Sequence, residues 1–361
     1  MSNTFSIVFP PSFYARYQVG GLTPGQMDEM LANGWFRNDV NVYTAAVRFM
    51  GDGWCSSVML RLPLENFTWK KRLGKLLRRN QALFQVQIRP YIATQQKEDL
   101  WRVFKSTVHQ WLLVPELSHH LFRELPATSF NTWELGVYHG GKLVAFSIFD
   151  KGRQSIASLE AAYDPAYAKY SLGIYTMLLE IAFAMEEGMA FYYPGFLPKG
   201  VPMFSYKLRP GGLEFFRLKE KRWVSCESLQ PGDWLMEAVL ARLEKLGRLI
   251  QGAGLVPMLS YGLFNHFPGV EVSPKGHNVL LVIGNPRFRS SNIVFLATWD
   301  IIRERFILFK ARIPHPVQDN AKFPAGPAMQ LFHIPEYGWL GEWREADRVV
   351  SELQKQISGP V

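Results

Sequence analysis

Cysteine is almost absent from this sequence of 361 residues, which contains only Cys55 and Cys226. Two cysteines cannot form the disulfide framework of a small secreted protein, and they cannot supply the four thiolates of a cysteine-only zinc or iron–sulfur site. This scarcity predicts a chain that works in a reducing, intracellular setting and has no metal centre of that kind.

Long hydrophobic runs are absent as well. No segment approaches the roughly 18 uncharged apolar residues of a membrane-spanning helix. Met1 to Pro11 has no early Lys or Arg and no apolar core, so it does not read as a secretory signal. These absences, together with the lack of repeats and low-complexity segments, predict a cytoplasmic protein without a membrane partner.

What the sequence does have is basic charge and enough apolar residues for a large core. Lys and Arg number 40 against 31 Asp and Glu, which gives a net charge of +9 and a pI near 9.4. Such a balance favours polyanionic partners. Because 48% of the 361 residues are hydrophobic, we expect enough buried apolar residues for the cores of about two domains.

Hydropathy patterns in the middle of the chain have the order typical of the acetyltransferase (GNAT) fold. A doubly wound sheet would alternate strands and helices more regularly. We therefore predict an α+β fold in which a mixed sheet is flanked by helices. The predicted elements are two helices within Glu98 to Leu125, a hairpin over Thr132 to Asp150, a strand at Ser155 to Tyr163, a buried helix with Ser171 as N-cap running to Glu187, and a short strand at Ala190 to Tyr193 followed by a Gly/Pro-rich loop at 194–212.

Weaker patterns flank this core, and they divide the chain into three predicted parts. Residues 1–95 form an N-terminal module with a basic helix, 96–225 the GNAT-like catalytic domain, and 226–361 a C-terminal α/β extension of unknown role. The flanking elements are helices at Gln26 to Ala32, Asn66 to Leu83, Asp233 to Gln251 and Leu340 to Ile357, and strands at Trp54 to Leu62, Asn278 to Gly284, Ile293 to Thr298 and Phe306 to Ala311. Residues 1 to about 45 are otherwise predicted to be irregular.

Three stretches between Glu134 and Phe216 carry a family resemblance. They are Tyr163-Asp164-Pro165 with Tyr170-Ser171-Leu172-Gly173-Ile174-Tyr175 and Leu178 to Ile181, then Tyr192-Tyr193-Pro194-Gly195-Phe196, and finally Met203 with Tyr206-Lys207-x-Arg209-Pro210. Together they resemble the C-terminal domain of the aminoacyl-tRNA-protein transferases, which include arginyltransferases and bacterial leucyltransferases. Met27 to Asn38 and Lys70 to Asn80 are similar to upstream segments of the same family.

The resemblance implies an enzyme that transfers an arginine-like or leucine-like amino acid from aminoacyl-tRNA to the N-terminal α-amine of a protein or peptide. Its partners would be the charged tRNA and the acceptor, with no further cofactor. The chain departs from the family in lacking the N-terminal cysteine cluster, near which only Cys55 remains. The part beyond residue 225 has no counterpart in the family that we can identify.

Three residues are candidates for catalysis. Glu160 and Asp164 stand near the end of a predicted strand where an acetyltransferase base is expected, and either could take the proton of the acceptor α-ammonium. Asp164 also suits an ordinary turn before Pro165. Tyr175 could orient the ester, although core packing is an equally available role for it.

The donor and the tRNA have their own candidate residues. Under the resemblance, Tyr170, Ser171 and Gly173 begin the helix that meets the donor, and this start offers only one glycine where a coenzyme A pyrophosphate loop needs more. Aromatic stacking and anion binding suggest substrate roles for Tyr193, Tyr206, Lys207 and Arg209. The predicted tRNA-binding face comprises Lys70, Lys71, Arg72, Lys75, Arg78 and Arg79.

Two other interpretations stay open at this point. An acyl-CoA-dependent N-acyltransferase would share the fold, and a non-catalytic relative would bind tRNA or protein without turnover. A metal site is not predicted, because His119 and His120 are neighbours on a helix and have no third ligand at suitable spacing. We likewise interpret His109, His139, His266 and His277 as structural residues and not as metal ligands.

Overall fold

The fold is built from seven helices and eighteen strands in the part of the chain that the structure describes. In this computed structural model, the described residues are 14–49, 54–108, 116–123, 125–265, 276–284, 293–301, 303–312, 330–333 and 338–358. The helices are α1 (Pro24–Ala32), α2 (Lys71–Gln81), α3 (Gln95–Val108), α4 (Leu117–Phe122), α5 (Leu172–Glu186), α6 (Leu235–Gly252) and α7 (Ala346–Ser358). The strands are β1 (Tyr14–Gln18), β2 (Phe36–Asn38), β3 (Asn41–Ala45), β4 (Val47–Phe49), β5 (Trp54–Pro63), β6 (Gln85–Pro90), β7 (Thr132–His139), β8 (Lys142–Lys151), β9 (Ser155–Tyr163), β10 (Phe191–Pro198), β11 (Glu214–Arg217), β12 (Arg222–Ser225), β13 (Pro257–Asn265), β14 (Gly276–Gly284), β15 (Ile293–Asp300), β16 (Arg305–Arg312), β17 (Gln330–His333) and β18 (Trp339–Trp343).

A nine-stranded mixed sheet forms the centre of the molecule. Its order is β12-β11-β5-β10-β9-β8-β7-β6, with β4 paired to β5. The β7–β8 hairpin turns at Gly140 and Gly141, whose φ angles of 56° and 79° lie in the left-handed region that glycine adopts easily. Within this sheet β9 and β10 are parallel, and α5 connects them. The predicted mixed sheet flanked by helices is therefore confirmed.

Helices cover both faces of this sheet. The apolar residues of α2 and α5 pack in one core with sheet residues such as Val137 and Phe149. Those of α1, α3 and α4 pack in another core with Phe146 and Ile148, the alternate residues of β8. This explains why α5 is apolar almost all round, because it lies deep in its layer.

Helix starts are fixed by polar contacts from the chain before them or from neighbouring helices. Thr23 and Gln26 form a capping box at the start of α1. The carboxylate of Glu98, on α3, accepts hydrogen bonds from the backbone N–H groups of Leu117 and Ser118 at 2.7 and 3.0 Å, and so caps α4. Pro115, the predicted break between these helices, lies outside the described residues.

Several predicted boundaries were wrong. Ser171 does occupy the predicted N-cap position of α5, but it takes the left-handed conformation, with φ 54° and ψ 47°, and its side chain makes no capping hydrogen bond. The basic helix is shorter than predicted, and β10 extends to Pro198 where a loop was expected. A strand, β18, stands where the last helix was predicted to start.

The segment before residue 45, predicted to be irregular apart from one helix, contains a small sheet. Its order is β1-β3-β2. Strands β5 and β6 lie before residue 95, yet they pair in the nine-stranded sheet with strands that lie after it. The predicted domain boundary at residue 95 therefore divides the strands of a single sheet. The division into three parts stays a prediction.

The C-terminal α/β region consists of a six-stranded sheet, β15-β14-β13-β17-β16-β18, with α6 and α7 packed beside it. Its strands β14, β15 and β16 occur where three apolar runs predicted them. On α6, Val239 and Leu243 are fully buried. No helix among the described residues is both long enough and apolar enough to span a membrane.

Candidate active site

A gap opens in the nine-stranded sheet between β9 and β10. The two strands pair only at Phe191 with Ser155, Tyr192 with Ile156, and Tyr193 with Ala157. Beyond these pairs β9 runs on to Tyr163, while β10 continues against β5 with a register shift between Tyr192 and Gly195. Pro194 has no N–H to donate, and Gly195 has a φ of 83°, so both residues favour the end of pairing here. We call this opening the strand gap.

A β-bulge in β9 decides which side chains face each side of the gap. Glu160 is opposite Ile148 and Ser158 is opposite Phe149, so Leu159 is an extra residue. Without a bulge, residues two apart would point to the same face of the sheet. With it, Glu160 lies on the α3 and α4 side and Ser158 on the α5 side.

Glu160 meets two basic side chains from the helices above it. His120 Nε2, on α4, lies 2.8 Å from Glu160 Oε1, and Lys105 Nζ, on α3, lies 3.7 Å from Oε2. The Glu160 side chain retains 22% exposure. His120 thus has a carboxylate partner, and among the described residues no cluster of potential metal ligands occurs.

Lys207 reaches the strand gap from a 3₁₀ turn, Pro202–Leu208. Its Nζ donates a hydrogen bond to the carbonyl oxygen of Phe196 at 3.0 Å. A side chain at Gly195 would place its Cβ 3.4 Å from this nitrogen, so the absence of a side chain there leaves room for the ammonium group. Burial lowers the pKa of Lys207 to about 7, assisted by the charge of Arg48 and opposed by the charges of Glu160 and Glu180.

Glu180 is a second carboxyl group at the gap, and it was missed as a site residue in the sequence. It lies on α5 and is fully buried. The hydroxyl of Tyr192 donates a hydrogen bond to Glu180 Oε2 at 2.6 Å. Burial raises the pKa of Glu180 to about 7, while the hydrogen bond from Tyr192, the nearby hydroxyl groups of Ser147 and Ser158 and the charge of Lys207 act in the opposite direction.

Tyr206 completes the group that we call the gap cluster, which consists of Glu160, Glu180, Tyr192, Tyr206 and Lys207. Burial, with the charges of Glu180 and Glu160, raises the pKa of Tyr206 to about 12. Of the predicted site residues, the structure brings together Glu160, Tyr206 and Lys207. One signal could have led to Glu180: it is an acid in the middle of an otherwise apolar helical segment.

The other two predicted catalytic residues have structural surroundings. Asp164 accepts a hydrogen bond from the backbone N–H of Ala166 at 3.0 Å and pairs with Lys142 at 2.8 Å. The hydrogen bond from Lys142 lowers the pKa of Asp164, which makes it a weaker base. Tyr175 is fully buried against Phe84, and burial raises its pKa to about 12. These contacts favour the turn role and the packing role that the sequence left open.

Tyr193 is also a core residue. It is 1% exposed and packs edge-on against Trp223, with ring centroids 5.6 Å apart. Its neighbour Tyr192 points to the other core and carries the hydroxyl that binds Glu180. The predicted substrate contact of Tyr193 therefore has no exposed surface to support it.

The start of α5 lies beside the basic helix. Asn80, at the end of α2, donates a hydrogen bond to the carbonyl oxygen of Tyr170 at 2.8 Å. Gly173 faces the ring of Tyr163, which a Cβ would meet at 3.4 Å. Ser171 between them takes a left-handed conformation and is half-buried.

The predicted tRNA-binding residues form an exposed basic face. Within the part of the chain that the structure describes, none of the six has a salt-bridge partner: Lys70, Lys71, Arg72, Lys75, Arg78 and Arg79. Lys70 Nζ lies where it would touch a side chain at Gly211, so this face adjoins the loop that follows Lys207. Arg209 is exposed in the same loop.

The remaining predicted histidines show no ligand arrangement. His139 Nδ1 lies 3.1 Å from the hydroxyl of Tyr167 on the surface, and His119 is exposed. His109 and His266 lie outside the described residues, and the side chain of His277 is not described.

A cavity of about 200 Å³ lies on the side of the sheet where α6 begins. Thr44, Phe196, Phe216 and Leu235 contribute to its wall, and Asp233 at its rim is paired with Arg217 at 2.7 Å. None of the predicted site residues lines it, so the strand gap is the candidate active site.

Comparison with known proteins agrees with the resemblance in the sequence. Residues 89–216 match the family described as "Arginine-tRNA-protein transferase, C terminus". An aspartate/glutamate leucyltransferase from Leptospira interrogans is 28% identical over 176 residues, which cover 47% of this chain and 68% of that protein.

Two solved structures are similar at low identity. A GCN5-related N-acetyltransferase-like protein from Streptococcus suis has 12% identity and a TM-score of 0.29, over 47% of this chain and 59% of its own. The C-terminal domain of a putative lysylphosphatidylglycerol synthetase from Agrobacterium fabrum has 14% identity and a TM-score of 0.28, over 43% of this chain. The match spans about half the length of the second structure, 49%.

The family match contains β7 to β10, α5 and the turn that carries Lys207, and therefore every member of the gap cluster. This part of the chain is therefore similar to the C-terminal part of the aminoacyl-tRNA-protein transferases, a family of aminoacyltransferases.

Proposed function

We propose that this chain transfers an amino acid from aminoacyl-tRNA to the N-terminal α-amine of a protein or peptide, and that the reaction takes place in the strand gap. One observation carries the proposal: Lys207 enters the gap with its Nζ 3.0 Å from the carbonyl oxygen of Phe196, near enough to Glu160 and Glu180 for the charge of each to act on it. An acid and a base held together in a partly buried opening are what such a transfer needs.

The chemistry requires proton movement at two points. The acceptor α-ammonium must lose a proton before its nitrogen can attack the ester carbonyl carbon. A C–N bond then forms, the C–O bond to the terminal ribose breaks, and the ribose oxygen takes up a proton. One proton is released overall, and no oxidant or further cofactor is required.

We assign Lys207 and Glu160 to these steps. In its neutral form Lys207 accepts the proton of the α-ammonium, and in its charged form it returns a proton to the ribose oxygen. Glu160 holds the incoming ammonium by charge, at the end of the gap nearest α3 and α4. Tyr206 is near enough to Glu180 and Glu160 for their charges to raise its pKa, and we assign it to orient the ester.

The basic face of α2 suits the tRNA backbone. Six exposed cations without acidic partners among the described residues repel one another, and phosphate would relieve that repulsion. Because α2 contacts the start of α5 and the loop after Lys207, tRNA bound there would have its 3′ end near the gap.

Leucine is the donor we favour, with acceptors that begin with Asp or Glu, because the relative from Leptospira interrogans is named for that reaction. Arginine is the alternative donor, since the matching family is described by an arginine-tRNA-protein transferase. The loop of Lys207 presents Met203 and Leu208, each 40% exposed, and an apolar rim of this kind fits a leucyl side chain better than a guanidinium group.

The test is an assay with labelled leucyl-tRNA, arginyl-tRNA and acetyl-CoA as separate donors and peptides of varied N-termini as acceptors. The wild-type chain should label peptides from an aminoacyl-tRNA. Lys207→Met should lower this transfer by about 10²-fold or more, whereas Lys245→Met, which changes an exposed lysine on α6, should leave it unchanged.

The outcomes separate the alternatives. Label taken from acetyl-CoA alone would establish the coenzyme-dependent acyltransferase, and tRNA binding without transfer from any donor would establish the non-catalytic relative. Equal activity of wild type and Lys207→Met, with both chains folded by circular dichroism, would contradict the role of the strand gap.

A further inference from the structure

Glu180 is a buried acid to which the mechanism above gives no task. Tyr192 donates a hydrogen bond to one of its carboxylate oxygens. The other oxygen, Oε1, is buried and has no hydrogen bond of good geometry among the described residues. An ionisable group kept in such a place costs stability, and a functional role would explain why it is there.

Ser158 is the residue that joins Glu180 to the strand gap. It is the first residue of β9 after the last pair with β10, Ala157 with Tyr193, so it stands where the two strands separate. The bulge at Leu159 turns its side chain toward α5. Ser158 is half-buried, and its hydroxyl is near enough to Glu180 and Tyr192 to lower the pKa of each.

Ser147 provides an instructive contrast. Its hydroxyl also acts on Glu180, but it is 1% exposed and lies on β8, away from the separating strands. Ser158 is therefore the hydroxyl that can face Glu180 on one side and the gap on the other. A hydroxyl both donates and accepts, so it can hand on a proton without keeping one.

We propose that Ser158 passes a proton between the buried carboxyl group of Glu180 and the groups that react beside Lys207. The inference rests on the proposed function. When Lys207 has taken the proton of the acceptor amine, the second proton released from the new C–N centre passes through Ser158 to Glu180. Glu180 returns this proton through Ser158 to water that enters the gap when the products leave, so atoms and charge balance over the turnover. The titratable groups that act on Glu180 are Tyr192, Tyr206 and Lys207.

Rate measurements form the first part of the test. Ser158→Ala should lower the single-turnover transfer rate by about tenfold, and Ser158→Thr, which restores a hydroxyl, should recover most of it. The double variant Ser158→Ala with Glu180→Gln should be no slower than Glu180→Gln alone, since both changes interrupt one route. Ser351→Ala, on the exposed face of α7, is the control. A Ser158→Ala rate equal to wild type, or additive losses in the double variant, would overturn the proposal.

The second part needs no substrate. The carboxyl absorption of Glu180, identified by difference infrared spectra against Glu180→Gln, is followed from pH 5 to pH 9. The nearby Ser158 hydroxyl lowers the pKa of Glu180, so Ser158→Ala should shift the titration upward. An unchanged titration would refute the contact. If Ser158→Ala shifts the titration of Glu180 but the wild-type chain transfers no amino acid, the contact between Ser158 and Glu180 would be supported and the proposed function refuted.

Discussion

The replacement Asp150→Asn tests the buried ion pair that ties the N-terminal sheet to the central one. Arg37, on β2, donates from Nε to Asp150 Oδ2 at 2.5 Å and from Nη2 to Oδ1 at 3.0 Å, and both side chains are 1% exposed. Arg37 also donates to the carbonyl oxygens of Asp39 and Leu121 at 2.7 and 2.9 Å. One guanidinium group thus joins β2, α4 and β8.

The size of the effect follows from what asparagine would present to these donors. In one orientation, the asparagine amide nitrogen takes the place of Oδ2 and faces Arg37 Nε. In the other, it takes the place of Oδ1 and faces Arg37 Nη2 and the hydroxyl of Thr132, which in the wild type donates to Oδ1 at 2.6 Å. Either orientation places donor against donor and leaves a buried cation without a counter-ion. We expect a loss of about 3–5 kcal/mol in the free energy of unfolding, a large share of the 5–15 kcal/mol typical of a domain.

Urea unfolding followed by circular dichroism measures this loss, and Asp99→Asn supplies the matched control. Asp99 pairs with Arg102 on the surface, where the two side chains are 58% and 63% exposed, so the same change there should cost about 1 kcal/mol or less. A loss below about 1 kcal/mol for Asp150→Asn would mean that the Arg37 site admits water, and it would refute the reasoning.

The remaining predictions concern the gap and the basic helix. Glu180→Gln should raise the melting temperature at pH 8.5 and change it little at pH 5. A carboxyl group whose pKa is raised to about 7 in the folded chain stabilises the fold at low pH, and this contribution is lost as the pH rises through 7. Equal shifts of the melting temperature at both pH values would contradict this. The double variant Lys71→Gln with Lys75→Gln should reduce the slope of log Kd for tRNA against log salt concentration by about 1 to 2. The matching pair on α6, Lys245→Gln with Arg248→Gln, should leave this slope unchanged. Equal slopes in both double variants would argue against tRNA contact by α2. Tyr175→Phe removes a buried hydroxyl that has no partner among the described residues, so calorimetry should show an unchanged or higher melting temperature, and a marked fall would reveal a missing contact.

The parts of the fold that could be predicted are those whose signals lie close together in the sequence. The β7–β8 hairpin is marked by two adjacent glycines, and α5 by an apolar run that ends at Gly188. The small N-terminal sheet could not be predicted this way. Its strands are three to five residues long, and β1 pairs with β3 across the whole of α1.

The candidate site was predictable only in part, for the same reason. Lys207 and Tyr206 stand in a motif of neighbouring residues, and Glu160 stands at a strand end, so each was found. The bulge at Leu159 leaves no local signature, although it decides which face Ser158 and Glu160 occupy. The partners of Glu180 come from β8, β9, β10 and the turn before Arg209, so its role emerges only when these elements meet.

In the proposed reaction, the two acids of the gap cluster have separate tasks because their surroundings differ. Glu160 keeps contact with water and has Lys105 and His120 beside it, so it can hold an incoming cation without moving a proton. Glu180 is cut off from water and surrounded by hydroxyl groups, where taking up a proton relieves the cost of a buried charge. Lys207 between them meets a fixed charge on one side and a proton acceptor on the other. Under the proposed mechanism, that asymmetry gives the transfer a direction, since the ammonium group would enter beside Glu160 and its second proton would leave toward Glu180.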